Sequence, residues 1–239
     1  MKYLLLILLV LNLSIYSENN KPDWIYIFDG ESFDGWHQYN SNEIGSQWSI
    51  DSGELIFTNN KETKQDLVTI NEFENFELSI EWNISKGGNS GIFYGVKEFP
   101  ELDEAYKSGP EIQVLDNENF FTATKLHRSP SLYDLVGPDE KNVKINPHGE
   151  WNHLLLNIDH RNNLGTVIMN GTFAFSYPLR GADWDKLVLK SKFNDKDYYV
   201  NKGLDNEFLA FGAFKSGKIG LQDHGSDVRF RNIKIRYLY

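Results

Sequence analysis

Residues 75–85 read NFELSIEWNIS, and every second position in this stretch is apolar. Successive side chains of a β-strand point to opposite faces, so the apolar residues would share one face and the polar residues the other. A helix would need apolar residues three and four positions apart. The stretch therefore predicts a strand with one face in a core. The residues expected to face that core are Phe76, Leu78, Ile80, Trp82 and Ile84.

Several other segments have the composition of strands. Residues 165–175 hold two apolar runs around Asn170-Gly171, which is the strongest short signal for a β-hairpin. Residues 151–159, 218–221 and 232–239 are further strand candidates. Many strands separated by turns predict an all-β sandwich or jelly roll, although alternation alone does not determine the strand order.

One segment departs from the strand pattern. Residues 183–215 form a charged and aromatic insertion, which we expect to be a loop with one short helix near Trp184.

The N-terminus has the pattern of a targeting segment. Lys2 is followed by an apolar run over residues 3–13 and by the small residues of 14–17. We therefore expect a signal peptide at 1–17 and a single domain at 18–239. The apolar run is too short to span a membrane, so no transmembrane span is expected in the mature protein. The predicted location is periplasmic or secreted.

Composition limits the partners and cofactors. The 239 residues carry a net charge of −10, which argues against nucleic acid as a partner, because phosphate binding needs a basic surface. There is no cysteine, and no histidine spacing indicates a zinc site. No cofactor is predicted, although the acidic loops at 183–185 and 195–197 could hold a structural calcium ion.

Residues 109–117, GPEIQVLDN, are the strongest candidate for a functional strand. Glu111 and Gln113 would share one face, while Ile112 and Val114 would point into the core. A carboxylate and an amide side by side on a sheet surface suit the hydroxyl groups of a sugar. We therefore expect a saccharide as the ligand or substrate.

Asp116 would face away from Glu111 on a regular strand. A β-bulge after Gln113 would bring it to the same face. Two carboxylates on either side of one sugar could then catalyse glycoside cleavage. The spacing resembles the Glu-x-Asp-x-x-Glu strand of jelly-roll glucanases, but Gln113 replaces the middle Asp and disfavours conventional glucanase chemistry.

Two pairs of residues elsewhere could contribute to the same site. His224 follows Asp223 after a short apolar strand and could transfer a proton near neutral pH, although a structural role for both residues is an alternative. In residues 89–94, NSGIFY, Asn89 and Tyr94 are candidates for sugar binding, and Gly91 could permit a tight turn.

A further pair, His127-Arg128, lies shortly before Tyr133 and could reach into a cleft. Arg128 would suit a carboxylate such as Glu111 or Asp116. A purely structural role for this group is equally compatible with the sequence.

Taken together, these segments make the chain resemble the 3-keto-disaccharide hydrolase family. The resemblance extends over about 200 residues, in an order that matches the family. The matching segments are FDG at 28–30, GW at 35–36, GEL at 53–55, NFEL at 75–78, NSGIFY at 89–94, GPEIQVLD at 109–116, HR at 127–128, LYDL at 132–135, GEWN at 149–152, GLQDHG at 220–225 and FRNI at 230–233.

The resemblance implies a concanavalin A-like jelly-roll sandwich of two antiparallel sheets, one of them concave. It also implies action on sugars oxidised at C3, whose ketone acidifies the proton on C2. A base would remove that proton and the C1 substituent would leave, by elimination or net hydrolysis. His224 or Glu111 would be the base, with the other of the two or Asp116 as the acid. Gln113, Arg128 and Tyr133 would orient the sugar or stabilise the enolate.

The residues expected to bind the sugar are Asn89, Tyr94, Gln113, His127, Arg128, Tyr133 and Asp223. A non-catalytic carbohydrate-binding module is the alternative function, because one scaffold can serve lectins and enzymes alike.

Overall fold

The computed structural model describes residues 23–60, 66–122, 124–194, 211–212 and 214–239. The predicted signal peptide at 1–17 and the acidic segment at 195–197 lie outside these ranges. The described residues form thirteen strands: β1 (Ile25–Tyr26), β2 (Trp36–Gln38), β3 (Trp48–Asp51), β4 (Glu54–Phe57), β5 (Leu67–Thr69), β6 (Phe76–Ile84), β7 (Asn89–Val96), β8 (Glu111–Leu115), β9 (Asn152–Asp159), β10 (Leu164–Met169), β11 (Thr172–Tyr177), β12 (Lys218–Leu221) and β13 (Val228–Tyr237).

The strands form two antiparallel sheets. The larger sheet has eight strands in the order β11-β10-β9-β6-β13-β4-β3, with β1 pairing to β13 as well. The smaller sheet has five strands in the order β2-β5-β12-β7-β8. This architecture confirms the predicted all-β jelly-roll sandwich.

The main core lies between the two sheets. The five residues of β6 that were expected to face inward are all buried, with at most 2% of each side chain exposed. Ile112 and Val114 of β8 enter the same core from the smaller sheet, as their positions in the strand predicted. Strand alternation therefore determines which face of each sheet is apolar.

The predicted hairpin turn at Asn170-Gly171 and the predicted short helix near Trp184 are both present. Asn170 and Gly171 connect β10 to β11 with φ angles of 50° and 76°, a backbone conformation that Asn and Gly tolerate well. The helix α1 (Ala182–Val188) contains the buried Trp184 and begins the insertion. Two 3₁₀ helices, Ala105–Lys107 and Lys125–His127, lie in the loops around β8.

The outer face of the smaller sheet is covered in part by loops. A small second cluster of apolar side chains lies on this face and includes Val68, Phe93 and Ala105, with Tyr106 packed against it. The Ala105–Lys107 turn is thereby anchored over the sheet.

Within the described part of the chain, no helix has both the length and the hydropathy needed to cross a membrane.

Replacing Ile80 by alanine should lower the free energy of unfolding by about 2–5 kcal/mol, because it opens a cavity in the main core. Ile80 is fully buried, whereas Ile70 is 58% exposed and provides the matched control. Ile70→Ala should change stability by about 0.5 kcal/mol or less. Urea unfolding monitored by tryptophan fluorescence measures both variants, and equal losses would contradict this placement of the core.

Candidate functional site

A cavity of about 140 Å³ opens on the outer face of the smaller sheet. Its floor comes from β7, β8 and the end of β12, which are neighbours in the sheet. Its walls come from the loops that carry Tyr106, Tyr133 and Lys192. The residues that line it are Asn89, Tyr106, Glu111, Gln113, Tyr133, Lys192, Gln222 and His224.

Glu111 and Gln113 lie on the floor, as strand alternation predicted. Glu111 pairs with Phe93 and Gln113 pairs with Gly91 across the β7–β8 ladder. A Cβ atom on Gly91 would lie 2.5 Å from Glu111 Oε1, so the missing side chain provides the space that this carboxylate fills. Gly91 is thus needed for close packing within a strand, and the turn expected at this residue is absent.

Tyr133 is held beside Glu111 by a tight turn that follows an isolated bridge between Leu132 and Ile112 of β8. The backbone N–H of Tyr133 donates to Glu111 O at 2.9 Å, and that of Gln113 donates to Ser131 O at 2.9 Å. The His127 ring stacks on Tyr133, with centroids 4.7 Å apart. His127 therefore supports Tyr133 from outside the cavity lining.

His224 and Gln222 approach from the opposite side, at the end of β12. The backbone N–H of Gln222 donates to Gly91 O at 2.9 Å, which continues the sheet past Leu221. His224 Nε2 lies 3.3 Å from Asn89 Nδ2. The imidazole is exposed at the rim, so it reaches both the cavity and the solvent.

Three amide oxygens in this cavity are buried and have no hydrogen-bond partner among the described residues. They are Asn89 Oδ1, Gln113 Oε1 and Gln222 Oε1. Each of these side chains is at most 7% exposed. Gln113 Nε2 donates to His127 O at 3.2 Å, which leaves the oxygen end of that amide for a ligand. Buried polar atoms are almost always paired, so three in one cavity indicate that donors are supplied by a ligand or by water.

Lys192 lies on the wall next to Tyr133. Its Nζ atom is 4.3 Å from the centroid of the Tyr133 ring and 4.8 Å from that of Tyr106. Its backbone N–H donates to Asp134 Oδ2 at 2.7 Å, which ties the loop after α1 to the turn that follows Tyr133. These distances are typical of a cation held against aromatic faces.

Three residues of the lining were not expected from the sequence, namely Tyr106, Lys192 and Gln222. Gln222 could have been found, because it continues the alternation of residues 218–221 and precedes His224. Tyr106 and Lys192 have no local signal, since both reach the cavity from loops that are distant in sequence.

Burial raises the pKa of Glu111 from its ordinary value to about 8. The Lys192 charge lowers this pKa and the Asp66 charge raises it. Burial also raises the pKa of Tyr133, with the charges of Glu111 and Asp134 acting in the same direction. The cavity therefore keeps a carboxyl group that can gain or lose a proton near neutral pH.

Asp66 connects two walls of the cavity. Its Oδ1 accepts the backbone N–H of Asp223 at 2.9 Å, and its Oδ2 accepts that of Ala105 at 3.2 Å. These neighbours precede His224 and Tyr106 directly in sequence. Asp223 itself is turned into the protein, where Oδ1 accepts from Gly225 N at 2.9 Å. Asp223 therefore positions the His224 segment and does not line the cavity.

Asp116 does not join the cavity lining either. The β7–β8 ladder runs without a register shift from Phe93 to Asn89, so the predicted bulge is absent. Asp116 Oδ2 accepts from Gly87 N and from Asn119 Nδ2, both at 2.8 Å. Burial raises the pKa of this carboxyl, but these hydrogen bonds outweigh it and bring the pKa below its usual value. Asp116 holds a turn.

Two of the residues expected to bind sugar also lie elsewhere. Tyr94 points into the main core, where its ring centroid is 6.5 Å from that of Tyr177, because it is on the opposite face of β7 from Asn89. Arg128 was expected to pair with Glu111 or Asp116, but its Nε lies 3.0 Å from Glu140 Oε1.

No three His, Cys, Asp or Glu residues in the described ranges are grouped so that they could hold a metal ion. Asp183 pairs with Lys186 at 2.8 Å, and residues 195–197 lie outside those ranges. The structural calcium ion stays a prediction.

Comparison with known proteins gives relatives in both sequence and fold. A protein of Bacteroides thetaiotaomicron named 3-keto-disaccharide hydrolase is 37% identical, over 90% of this chain and 78% of that protein. A crystal structure from Parabacteroides distasonis, described as a candidate glycosyl hydrolase, is 26% identical and covers 90% of this chain and 94% of its own, with a TM-score of 0.77. A Bacillus subtilis protein with a galectin-like fold shares the architecture alone, at 12% identity, a TM-score of 0.53 and coverage of 90% and 94%.

The family assignment follows from the extent of the match. The family model for the 3-keto-alpha-glucoside-1,2-lyase-like domain covers residues 23–236, which include every residue of the cavity lining and all of both sheets but the last residue of β13. This chain therefore belongs to the family of 3-keto-alpha-glucoside-1,2-lyase-like domains.

Proposed function

We propose that this protein is an enzyme that cleaves 3-keto-glycosides by removing the C2 proton and releasing the C1 substituent, by elimination or net hydrolysis. The coarser assignment to the carbohydrate hydrolases rests on the relative that is 37% identical. The observation that carries the finer proposal is the set of three amide oxygens around Glu111 that have no hydrogen-bond partner in the described part of the chain.

These oxygens suit the hydroxyl groups of one sugar ring. A hydroxyl donates one hydrogen bond, and an amide oxygen accepts it without charge. Tyr106 and Tyr133 also line the cavity, where His127 and Lys192 lie against the Tyr133 ring. A small cavity lined by amides, aromatics and a carboxyl group is a sugar-sized site with a titratable group inside it.

The chemistry needs few groups because the ketone at C3 makes the C2 proton acidic. A base takes that proton and the electron pair forms an enolate over C2, C3 and O3. The enolate then re-forms the ketone, a C1–C2 double bond develops, and the C1–O bond breaks while an acid protonates the departing oxygen. Addition of water across the new double bond would complete a net hydrolysis.

Glu111 has the properties of the base. It is buried on the cavity floor, and its raised pKa makes its carboxylate a stronger base than an ordinary glutamate. His224 has the properties of the acid, because it is exposed at the rim, where a leaving group would depart and where solvent can return its proton. Asp116 is no longer a candidate for the acid, because its carboxylate accepts hydrogen bonds from Gly87 and Asn119 in a turn outside the cavity lining.

We also propose export to the periplasm or the cell exterior, on the pattern of residues 1–17. Fractionation of cells that express the full chain tests this, and a cytosolic, unprocessed protein would contradict it.

Substitution of Glu111 and of His224 should affect turnover differently, depending on how readily the leaving group departs. Glu111→Gln should lower turnover of all 3-keto-glycosides by about 100-fold or more, because no base remains. His224→Ala should lower turnover of 3-keto-disaccharides, yet leave 4-nitrophenyl 3-keto-glucosides within about tenfold, because nitrophenolate departs without an acid. Turnover of the disaccharides is measured by the release of free sugar, and turnover of the nitrophenyl substrates by the release of nitrophenol.

Glu77→Gln is the matched control for this experiment. Glu77 is also a buried glutamate, but it lies on the other sheet and pairs with Arg236. Its substitution should leave turnover within about twofold. If His224→Ala lost activity with both leaving groups and Glu111→Gln with disaccharides alone, the two roles would be reversed. A wild-type protein that binds these sugars without turnover would instead be a carbohydrate-binding module.

Glu111→Gln should also change how stability depends on pH. The folded carboxyl has a pKa near 8, against 4.5 ordinarily, so the unfolded chain loses this proton first as the pH rises. Burial of the Glu111 carboxyl therefore leaves the free energy of unfolding unaffected below about pH 4.5, where the group is protonated in both states. It lowers this free energy progressively between pH 4.5 and 8, and by a constant amount above pH 8. Glutamine resembles the protonated form and has no such loss. The melting temperature of the variant should match wild type near pH 4 and exceed it at pH 9; a pH-independent difference would contradict the shifted pKa.

Gln222→Met should weaken sugar binding without weakening the fold. Methionine has a similar length and removes an amide oxygen that is buried without a partner among the described residues. We expect KM to rise about tenfold while the melting temperature stays the same or increases. A lower melting temperature with unchanged KM would mean that Gln222 serves the fold rather than the ligand.

A further inference from the structure

We propose that Lys192 is a catalytic residue of this cavity, whose ammonium group contacts the C3 oxygen of the bound sugar and stabilises the enolate. This inference rests on the proposed function, because an enolate forms only on a sugar with a C3 ketone. It assigns a role to Lys192, a residue of the charged insertion for which the sequence suggested no function.

The cavity needs a donor of this kind. When the C2 proton leaves, negative charge develops on O3, and a fixed hydrogen-bond donor or positive charge lowers the energy of that state. The amide oxygens of Asn89, Gln113 and Gln222, which have no partner among the described residues, attract hydroxyl protons and repel an enolate oxygen. Among the described residues that line the cavity, Lys192 is the one side chain with a permanent positive charge.

The order of the groups across the cavity fits the order of the reacting atoms. His224 enters from the β12 side next to Asn89, whereas Lys192 enters beyond β8 next to Tyr133. Glu111 lies between them on β8. A sugar with C2 over Glu111 would therefore have C1 on the His224 side and C3 on the Lys192 side, because C1 and C3 flank C2.

The Lys192 segment is held at three points. Its backbone N–H is fixed by Asp134, and its ammonium group lies against the rings of Tyr133 and Tyr106. The next residue, Phe193, stacks on Phe211 with centroids 3.8 Å apart. A charge held in this way needs little reorganisation when the enolate forms, which is the condition for effective electrostatic catalysis.

Other charges face the same space. Glu111 is negative when ionised, and His224 faces the cavity from the far side. Asp66 and Asp134 lie outside the lining, where Asp66 acts on Glu111 through its charge and Asp134 holds the Lys192 backbone. The positive charge of Lys192 lowers the pKa of Glu111, so removing it would also make the base harder to ionise. Rates must therefore be compared over a full pH profile, at the plateau where Glu111 is ionised in each variant.

The experiment compares Lys192→Met, Lys192→Arg and Lys190→Met with wild type. Lys190 is exposed on the same loop, so its substitution removes the same charge at a position outside the cavity lining. The substrate is 4-nitrophenyl 3-keto-glucoside, both with hydrogen and with deuterium at C2. The reference ligand is the unoxidised 4-nitrophenyl glucoside, whose binding is measured by calorimetry.

We expect Lys192→Met to lower the plateau kcat by about 100-fold, with KM within about threefold of wild type. The isotope effect at C2 should increase, because proton removal becomes slower relative to the other steps. Binding of the unoxidised glucoside should stay within about threefold, since no charge develops on it. Lys192→Arg should recover part of kcat, and Lys190→Met should match wild type.

Three results would overturn the proposal. One is a Lys192→Met kcat within threefold of wild type. Another is loss of unoxidised glucoside binding in step with kcat, together with a lower melting temperature, which would indicate a structural role. The third is a Lys190→Met variant that loses as much activity as Lys192→Met. If wild type itself has no activity on the keto substrate, the proposed function fails first and this inference fails with it.

Discussion

The alternation of side chains on β7 and β8 is the constraint on which the rest of this structure depends. Each strand must supply apolar groups to the core on one face and polar groups to the cavity on the other. Ile92 and Ile112 are paired on the inner face, and Gly91 and Gln113 on the outer face. A slip of one residue would exchange the two faces, burying polar groups in the core and exposing apolar ones. The site and the core therefore depend on the same register.

The polar groups of the cavity lower the stability of the folded protein. Glu111 is 5% exposed, and burial opposes its ionisation. The amide oxygens of Asn89, Gln113 and Gln222 are buried without partners among the described residues. Such groups destabilise a fold, because they lose their hydrogen bonds to water and gain none in return. The apolar core between the sheets offsets this cost, and the unsatisfied groups stay available for a ligand.

Two carboxylates outside the cavity determine how its walls are arranged. Asp66 accepts backbone N–H groups from the segments that carry Tyr106 and His224. Asp134 holds the backbone of Lys192 and lies 2.9 Å from His127 Nε2, whose ring supports Tyr133. Each thus joins loops that are far apart in sequence. Their charges also act on the titratable groups inside, Asp66 on Glu111 and Asp134 on Tyr133.

The sequence by itself determined the two-sheet class, the strand at 75–85, the hairpin at 170–171 and the shared face of Glu111 and Gln113. These features follow from side-chain alternation and turn chemistry, which are local properties of the chain. Alternation counted from Asn89 would also have directed Tyr94 into the core. The prediction for Tyr94 was wrong because all residues of the motif at 89–94 were expected to serve the same site, although successive residues of a strand face opposite sides.

Only the tertiary structure decided the remainder of the site. The face on which the Asp116 side chain lies depended on whether β8 has a bulge, and the pairing of β8 with β7 determines this. Arg128 had several carboxylates within reach of its segment, and packing selected Glu140. Lys192 and Tyr106 come from loops whose positions depend on Asp134, Asp66 and the apolar cluster on the outer face. Contacts between distant segments carry no local periodic signal, because they form only when the whole chain has packed.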